Sequence, residues 1–234
     1  RVRDEPRGVA RLAPDELREI EAVRMATMPL NYLGYAVEYV DYRHLPESAL
    51  AGRYAGVVLW LGERGSSADR KNLNTWIEQR VDENVPVAAI GEIGPLLDSP
   101  LNAKLGFVQK SEGDGGSSVV ITQQSRMMGF ERQPRPQANE FTPLTIKNGR
   151  PLLTLGKGKA QQIAAALTSW GGYAMAPFAL TTLANEKEAR WVVDPFVFFK
   201  EALRLPDMPV PDVTTESGRR MLLVHMDGDG FVSR

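Results

Sequence analysis

The chain has 234 residues, 43% of them hydrophobic and 24% charged, with a formal net charge of −1. That is the length of one large domain or two small ones, with the composition of an ordinary globular protein. No excess of positive charge points to nucleic acid or an anionic membrane, and no apolar run reaches the roughly 20 residues of a membrane span.

Cysteine is absent. This removes disulfides, thiolate zinc sites and cysteine nucleophiles together. The only histidines are His44 and His225, too few for a histidine-rich metal site. The chain opens on "RVRDEPRG" without an initiator methionine. A processed or trimmed start is expected, so the lack of a signal peptide says nothing about compartment.

In chain order, "PDELREIEAVRMA" (14–26) predicts a helix, with acids in its first turn and Leu17, Ile20 and Val23 on one stripe. In "TMPLNYLGY", Thr27 can cap a new helical turn and Gly34 can end it. "AVEYVDY" (36–42) has strand composition. "AGVVLWL" (55–61) is a continuous apolar strand. A helix follows, capped by Ser66 or Ser67, with Leu73, Trp76, Ile77 and Val81 on one face, and Asn84 closes it. "VPVAAIG" (85–91) is a second apolar strand. Strand, helix, strand without polar alternation predicts a βαβ unit buried on both faces. Residues 1 to about 106 therefore read as an open α/β sheet.

From about 107 the pattern becomes β-rich. "SEGDGGSS" (111–118) reads as a loop. "VVITQQ", "FTPLTIKNGRPLLTL" and "AQQIAAALTSW" read as strands joined by turns, with Asn148-Gly149 as a hairpin signal. "DPFVFFKEALRL" predicts a helix capped by Asp194, with Pro195 in its first position and Phe196, Phe199 and Leu203 on a shared face. Residues 206–220 have linker composition, and "MLLVHM" reads as a new buried strand.

Several catalytic motifs fail. "TLGKGKA" (154–160) lacks the spacing of a phosphate loop and reads as a β-turn. There is no Gly-x-Ser-x-Gly for a serine nucleophile. Phe231 occupies a ligand position that a calcium loop would need.

Three candidates remain. Glu92, in "IGEIG", follows an apolar strand where ligands bind in doubly wound sheets; the bland reading is a solvated loop acid, since one carboxylate alone does no acid–base chemistry. Trp170, Tyr173 and Phe178 in "SWGGYAMAPF" could form a sugar platform or a buried aromatic corner. In "HMDGDG", an extended backbone puts His225, Asp227 and Asp229 on one side. Such a pair suits a metal ligand and a base acting on metal-bound water, or else an ordinary Asp-Gly turn.

"VTTESGRRMLLVHMDGDGF", with "WGGYA" and "RWVVDPF" upstream, resembles the PelA-like family of modular exopolysaccharide proteins. These join a glycoside hydrolase domain, a middle α/β domain and a polysaccharide deacetylase domain. The resemblance runs from "PLNYLGYAVEYVD" to the end. It implies that the Asp-Gly-Asp run opens the deacetylase barrel, as an Asp-Asp pair does in NodB-type deacetylases. The resemblance does not assign the two roles; we take Asp227 as base and Asp229 as ligand to a zinc-like divalent metal, with His225 in support. The family's two metal-binding histidines come from a later segment. The chain is thus expected to be a piece of a longer protein, inactive and metal-free by itself.

The middle domain resembles the class I glutamine amidotransferase-like and flavodoxin-like folds, an open, doubly wound, mostly parallel sheet. Where the amidotransferases carry a nucleophilic cysteine this chain has Glu92, so that activity is chemically excluded. The expected organisation is an α/β domain over 1–205 with a β-rich extension, a linker over 206–220 and a first barrel strand over 221–234. The expected parent is a periplasmic enzyme that de-N-acetylates an amino-sugar polysaccharide and works beside other export proteins. The alternatives for this domain are carbohydrate binding or a scaffold that orients its neighbours.

Overall fold

The computed structural model describes residues 20–62, 67–98, 100–110, 118–182, 189–208, 215–216 and 219–220. It is an α/β structure built on one mixed eight-stranded sheet.

The first helix, α1 (Glu21–Tyr32), buries Ala26, Pro29 and Leu30. It runs straight through the position where the sequence suggests a new cap. Thr27 lies inside it, and its hydroxyl bonds both the Val23 carbonyl and the Tyr39 hydroxyl. An interior proline costs about 3 kcal/mol; burial of this face against the last helix offsets it. Gly34 ends the segment in the left-handed region at φ +92°. The part of the predicted helix before residue 20 lies outside the described residues.

The strand predicted at 36–42 does not form a ladder. Its side chains are committed elsewhere: the Tyr54 hydroxyl donates to Glu38 at 2.5 Å, and Asp41 caps a short 3₁₀ turn, Tyr42–His44. Composition favours a strand there, but pairing needs a neighbour that the fold does not supply.

The βαβ unit is present. β1 (Val57–Leu61) and β2 (Val87–Gly91) pair in parallel, in register from Val57↔Val87 to Leu61↔Gly91. Between them α2 (Ser67–Asp82) buries Leu73, Trp76 and Ile77. A short helix, α3 (Leu101–Leu105), ends at Gly106. Side chains of β2 alternate between two cores: Ala88 and Ile90 face one, Val87 and Ala89 the other.

The second half supplies β3 (Phe107–Gln109), β4 (Val120–Gln124), β5 (Leu144–Ile146), β6 (Gly149–Lys157), β7 (Ala160–Thr168) and β8 (Gly171–Met175). β8 returns to pair with β2 in parallel, Val87↔Gly171 to Gly91↔Met175. The connection from β2 to its parallel neighbour thus contains five strands and α3, where a doubly wound sheet would hold a helical crossover. The sheet is parallel over β1–β2–β8 and antiparallel through β8–β7, β7–β6 and β6–β4.

"TLGKGKA" is the tight turn between β6 and β7, with Gly158 at φ +57°. Asn148-Gly149 also turns the chain, with Asn148 at φ +55°, but it closes no hairpin. β5 pairs with β3 and β7, while β6 pairs with β7 and β4. The local turn chemistry is as read; the long β7 takes the place of the expected partner.

A small pair, β9 (Leu180–Thr182) and β10 (Ala189–Trp191), precedes α4 (Pro195–Ala202). Asp194 caps α4 by accepting from the Phe196 and Val197 amides at 3.0 and 3.2 Å, and Pro195 takes a position whose N–H has no helical partner. Its buried face is Phe198, Phe199 and Ala202 with Leu203 beyond. Phe196, expected on that face, is only half-buried and lies edge-on to Tyr32 and Phe130. Phe198, Phe199 and Ala202 share one core with Ala88 and Ile90 of β2, Ala164 of β7 and Ala174 of β8. Within the predicted linker, β11 (Thr215–Glu216) and β12 (Arg219–Arg220) pair antiparallel. The predicted strand at 221–226 lies outside the described residues.

Candidate functional site

Three strands, β1, β2 and β8, end side by side at Leu61, Gly91 and Met175. In an α/β sheet this carboxyl edge is where ligands are held. The backbone there is already bonded: Glu92 N–H donates to the Leu61 carbonyl at 2.9 Å, and Ala176 N–H to the Gly91 carbonyl at 3.0 Å. Gly91 makes this join possible. It sits at φ +102°, and a Cβ there would lie 2.1 Å from the Leu61 oxygen.

Glu92 is exposed. Ile93 and Leu96 beside it are buried, and the Asn74 amide donates to Pro95 O at 2.9 Å. The loop is thus pinned beneath a carboxylate that faces solvent. By itself that carboxylate can accept hydrogen bonds or attract a cation; acid–base catalysis needs a partner group.

Trp170 and Tyr173 are elsewhere. Trp170 precedes β8 at the amino edge of the parallel strands, and its carbonyl accepts from Val87 N–H at 2.9 Å. Six residues of strand separate its level from that of Glu92, or roughly 20 Å. The two candidate ligand positions therefore lie at opposite edges of the sheet.

Both rings belong to the core. The Trp170 indole N–H donates to Leu105 O at 3.0 Å, and the Tyr173 hydroxyl to Ile163 O at 2.9 Å. The rings stack on each other with centroids 6.4 Å apart, and Phe107 approaches Tyr173 edge-on at 5.0 Å. Tyr173 is fully buried, and burial pushes its hydroxyl well above the ordinary tyrosine range. It stays a neutral donor at any physiological pH. Phe178 is buried as well, in the other core. Tyr173 and Phe178 are fully enclosed and Trp170 is 6% exposed, its edge reaching a small pocket beside Lys104 and Arg204, so these rings form a mostly buried corner.

His225, Asp227 and Asp229 lie outside the described residues. Among the described residues there is no cluster of three His, Asp or Glu side chains placed to hold a metal.

Two features escaped the sequence reading. One is a surface cluster of Tyr32, Phe130 and Phe196. Its only sequence trace is the i, i+4 pair Met28 and Tyr32, on the opposite stripe from Ala26 and Leu30. The other is a buried cation, Arg80. It donates to Ser48 O at 3.1 Å and to Glu83 at 2.7 Å, and lies over the Trp76 ring at 5.0 Å. Glu83 also accepts from Leu50 N–H at 2.9 Å, and the Trp76 indole donates to Pro46 O. This group fastens the 46–50 loop to α2.

Comparison with protein-family models, with curated proteins and with solved structures finds no match to this chain.

Proposed function

We propose that this chain is the α/β module of a polysaccharide-modifying protein, and that it holds its neighbours in place while the chemistry is done at the Asp-Gly-Asp run. In this reading the parent is a periplasmic, metal-dependent enzyme that removes N-acetyl groups from an amino-sugar exopolysaccharide. The observation that carries it is the stretch "MLLVHMDGDGF": an apolar strand signal running directly into two carboxylates at alternate positions, in the setting of the PelA-like resemblance.

The chemistry asked of these residues is specific. Asp229 would supply a carboxylate to hold a zinc-like divalent ion, and such an ion, when bound, would activate water as a nucleophile. Asp227 would accept a proton from the attacking water and return it to the departing amine nitrogen, so that N-acetyl group and water give acetate and a free amine. His225, on the same side of an extended strand, can hold one of the carboxylates.

The flavodoxin-like or amidotransferase-like descent of the module belongs to the same proposal. It is supported by parallel β1–β2–β8 with helices over both faces and by the position of Glu92 after β2. The scaffold role is supported by the commitment of Trp170 and Tyr173 to the core.

The test is acetate release from an N-acetylated amino-sugar polymer by the natural full-length protein. Release that depends on added metal and falls at least about 100-fold in Asp227→Asn supports the reading. Equal release by wild type and variant contradicts it.

A further inference from the structure

A cavity of about 100 Å³ opens at the amino edge of the parallel strands, at the other end of the sheet from Glu92. One side of it is apolar: Val81 at the end of α2, buried Val85, and the edge of buried Trp170. The other side is exposed and polar: Lys104, Ser169 and Arg204. The apolar wall is fixed in advance. Trp170 is anchored by its indole bond to Leu105 O at 3.0 Å and by its stack on Tyr173.

Charge decides which ligand fits. Lys104 is already neutralised, since both oxygens of Asp82 lie 2.7 Å from its ammonium. Arg204 has no carboxylate partner among the described residues; its one bond is to the neutral Asn84 side chain at 3.2 Å. The neighbouring acids are engaged elsewhere, Glu201 with Arg150 and Glu83 with Arg80. Two cations against one carboxylate leave the polar side with a single positive charge. A monoanion cancels it, whereas a dianion would leave a negative charge beside Asp82. Donors remain for that monoanion: the guanidinium has several beyond the one given to Asn84, and the ammonium has one beyond those Asp82 accepts.

Helix carboxyl ends repel anions, and α2 and α4 both end here. Their last carbonyls are covered. Val81 O and Arg80 O accept from the Asn84 and Val85 amides, and Glu201 O and Lys200 O from those of Arg204 and Leu205. Size sets the other limit. A dry cavity of about 150 Å³ encloses a benzene ring, so this smaller one takes a carboxylate with a short aliphatic tail and no ring.

We infer that the cavity between Val85, Trp170 and Arg204 binds a short-chain monocarboxylate. Its oxygens meet Arg204 and Lys104, and its alkyl end lies on Val81, Val85 and the Trp170 edge. The site is independent of the function proposed above.

The experiment is a titration of the full chain with sodium acetate, propionate and butyrate at an ionic strength held constant with chloride, followed by NMR of the backbone and indole N–H groups. Saturable shifts are expected at the Trp170 indole, Val85, Ser169 and Leu205, with Kd on the order of 1 mM for ligands this small. Acetamide, the neutral isostere of acetate, should produce none. Arg204→Gln should raise Kd at least about tenfold, because it removes the unpaired charge and the bidentate fork. Lys159→Gln, which removes the same charge at the far turn of β7, should leave Kd unchanged. Dispersed spectra establish that both variants are folded. Absence of saturable shifts with every carboxylate overturns the inference, as do shifts centred elsewhere, an equal response to acetamide, or an unchanged Kd in Arg204→Gln. Tighter binding of inorganic phosphate than of any carboxylate overturns it as well.

Discussion

Arg204 donates to the side-chain oxygen of Asn84 at 3.2 Å, across 120 positions of sequence. Each residue closes a helix in the left-handed conformation, Asn84 at φ +58° and Arg204 at φ +53°. The two ends share one bonding pattern: Asn84 N–H to Val81 O and Val85 N–H to Arg80 O close α2, and Arg204 N–H to Glu201 O and Leu205 N–H to Lys200 O close α4. In both, the next residue, Val85 or Leu205, is buried. This is the Schellman arrangement made twice without glycine, and the bond between the caps ties the two helix ends together.

Asparagine tolerates the left-handed region better than other non-glycine residues. Asn84→Ala should therefore destabilise the protein by about 1 kcal/mol, while Arg204→Gly, which relieves strain, should stabilise it by about 0.5 kcal/mol. Urea midpoints with unchanged slopes check both signs.

Gly91 and Gly171 permit the close approach of the parallel strands. A Cβ would lie 2.1 Å from Leu61 O at Gly91 and 2.0 Å from Val87 O at Gly171. Both contacts are with backbone that cannot swing aside. Gly91→Ala and Gly171→Ala are expected to cost more than about 3 kcal/mol each, in the range reserved for strain at special backbone positions. Gly94→Ala, where added atoms meet open space, should be nearly silent in the same denaturation experiment.

The Arg80–Glu83 pair makes a further prediction. Arg80 is 2% exposed, and Glu83 retains some solvent contact. Removing the carboxylate strands a buried guanidinium and frees the Leu50 amide. Glu83→Ala should cost about 3 kcal/mol and raise amide hydrogen exchange in the 46–50 loop. Unchanged exchange there would separate the pair from the loop it is said to hold.

Glu140 gives a pH dependence. Burial holds its carboxyl above the ordinary range, and one of its oxygens is buried without a hydrogen-bond partner. The folded-state pKa lies above the unfolded one, so the ionised carboxyl costs stability at neutral pH, and the cost disappears as pH falls through the folded value. Glu140→Gln should thus be more stable than wild type at pH 7, with the difference shrinking toward pH 4. Differential scanning calorimetry at the two pH values reads the trend; a variant less stable at pH 7 contradicts it.

The βαβ unit and α4 were legible because their signals are local. Apolar periodicity marks α2, and the Asp194-Pro195 cap fixes the start of α4. What could not be read is pairing. Nothing in "GGYAM" says that it lies beside "VAAIG", with Gly171 opposite Val87, and the Asn148-Gly149 turn does not reveal that β7 separates its two strands. Side-chain commitment was equally hidden: composition makes 36–42 a strand, while Tyr39 and Glu38 are tied to Thr27 and Tyr54. At the candidate site, the position of Glu92 after β2 was readable from chain order. The burial of Trp170 and Tyr173 follows from a second-half strand entering the parallel sheet, which no residue near them announces.

The most direct test compares two carboxylates in one assay. Asp227→Asn and Glu92→Gln are made in the natural full-length protein, and acetate release from an N-acetylated amino-sugar polymer is measured with saturating metal. The account predicts loss of release in Asp227→Asn and wild-type release in Glu92→Gln. Loss in Glu92→Gln with activity kept in Asp227→Asn would move the chemistry to the carboxyl edge of the sheet and contradict the account.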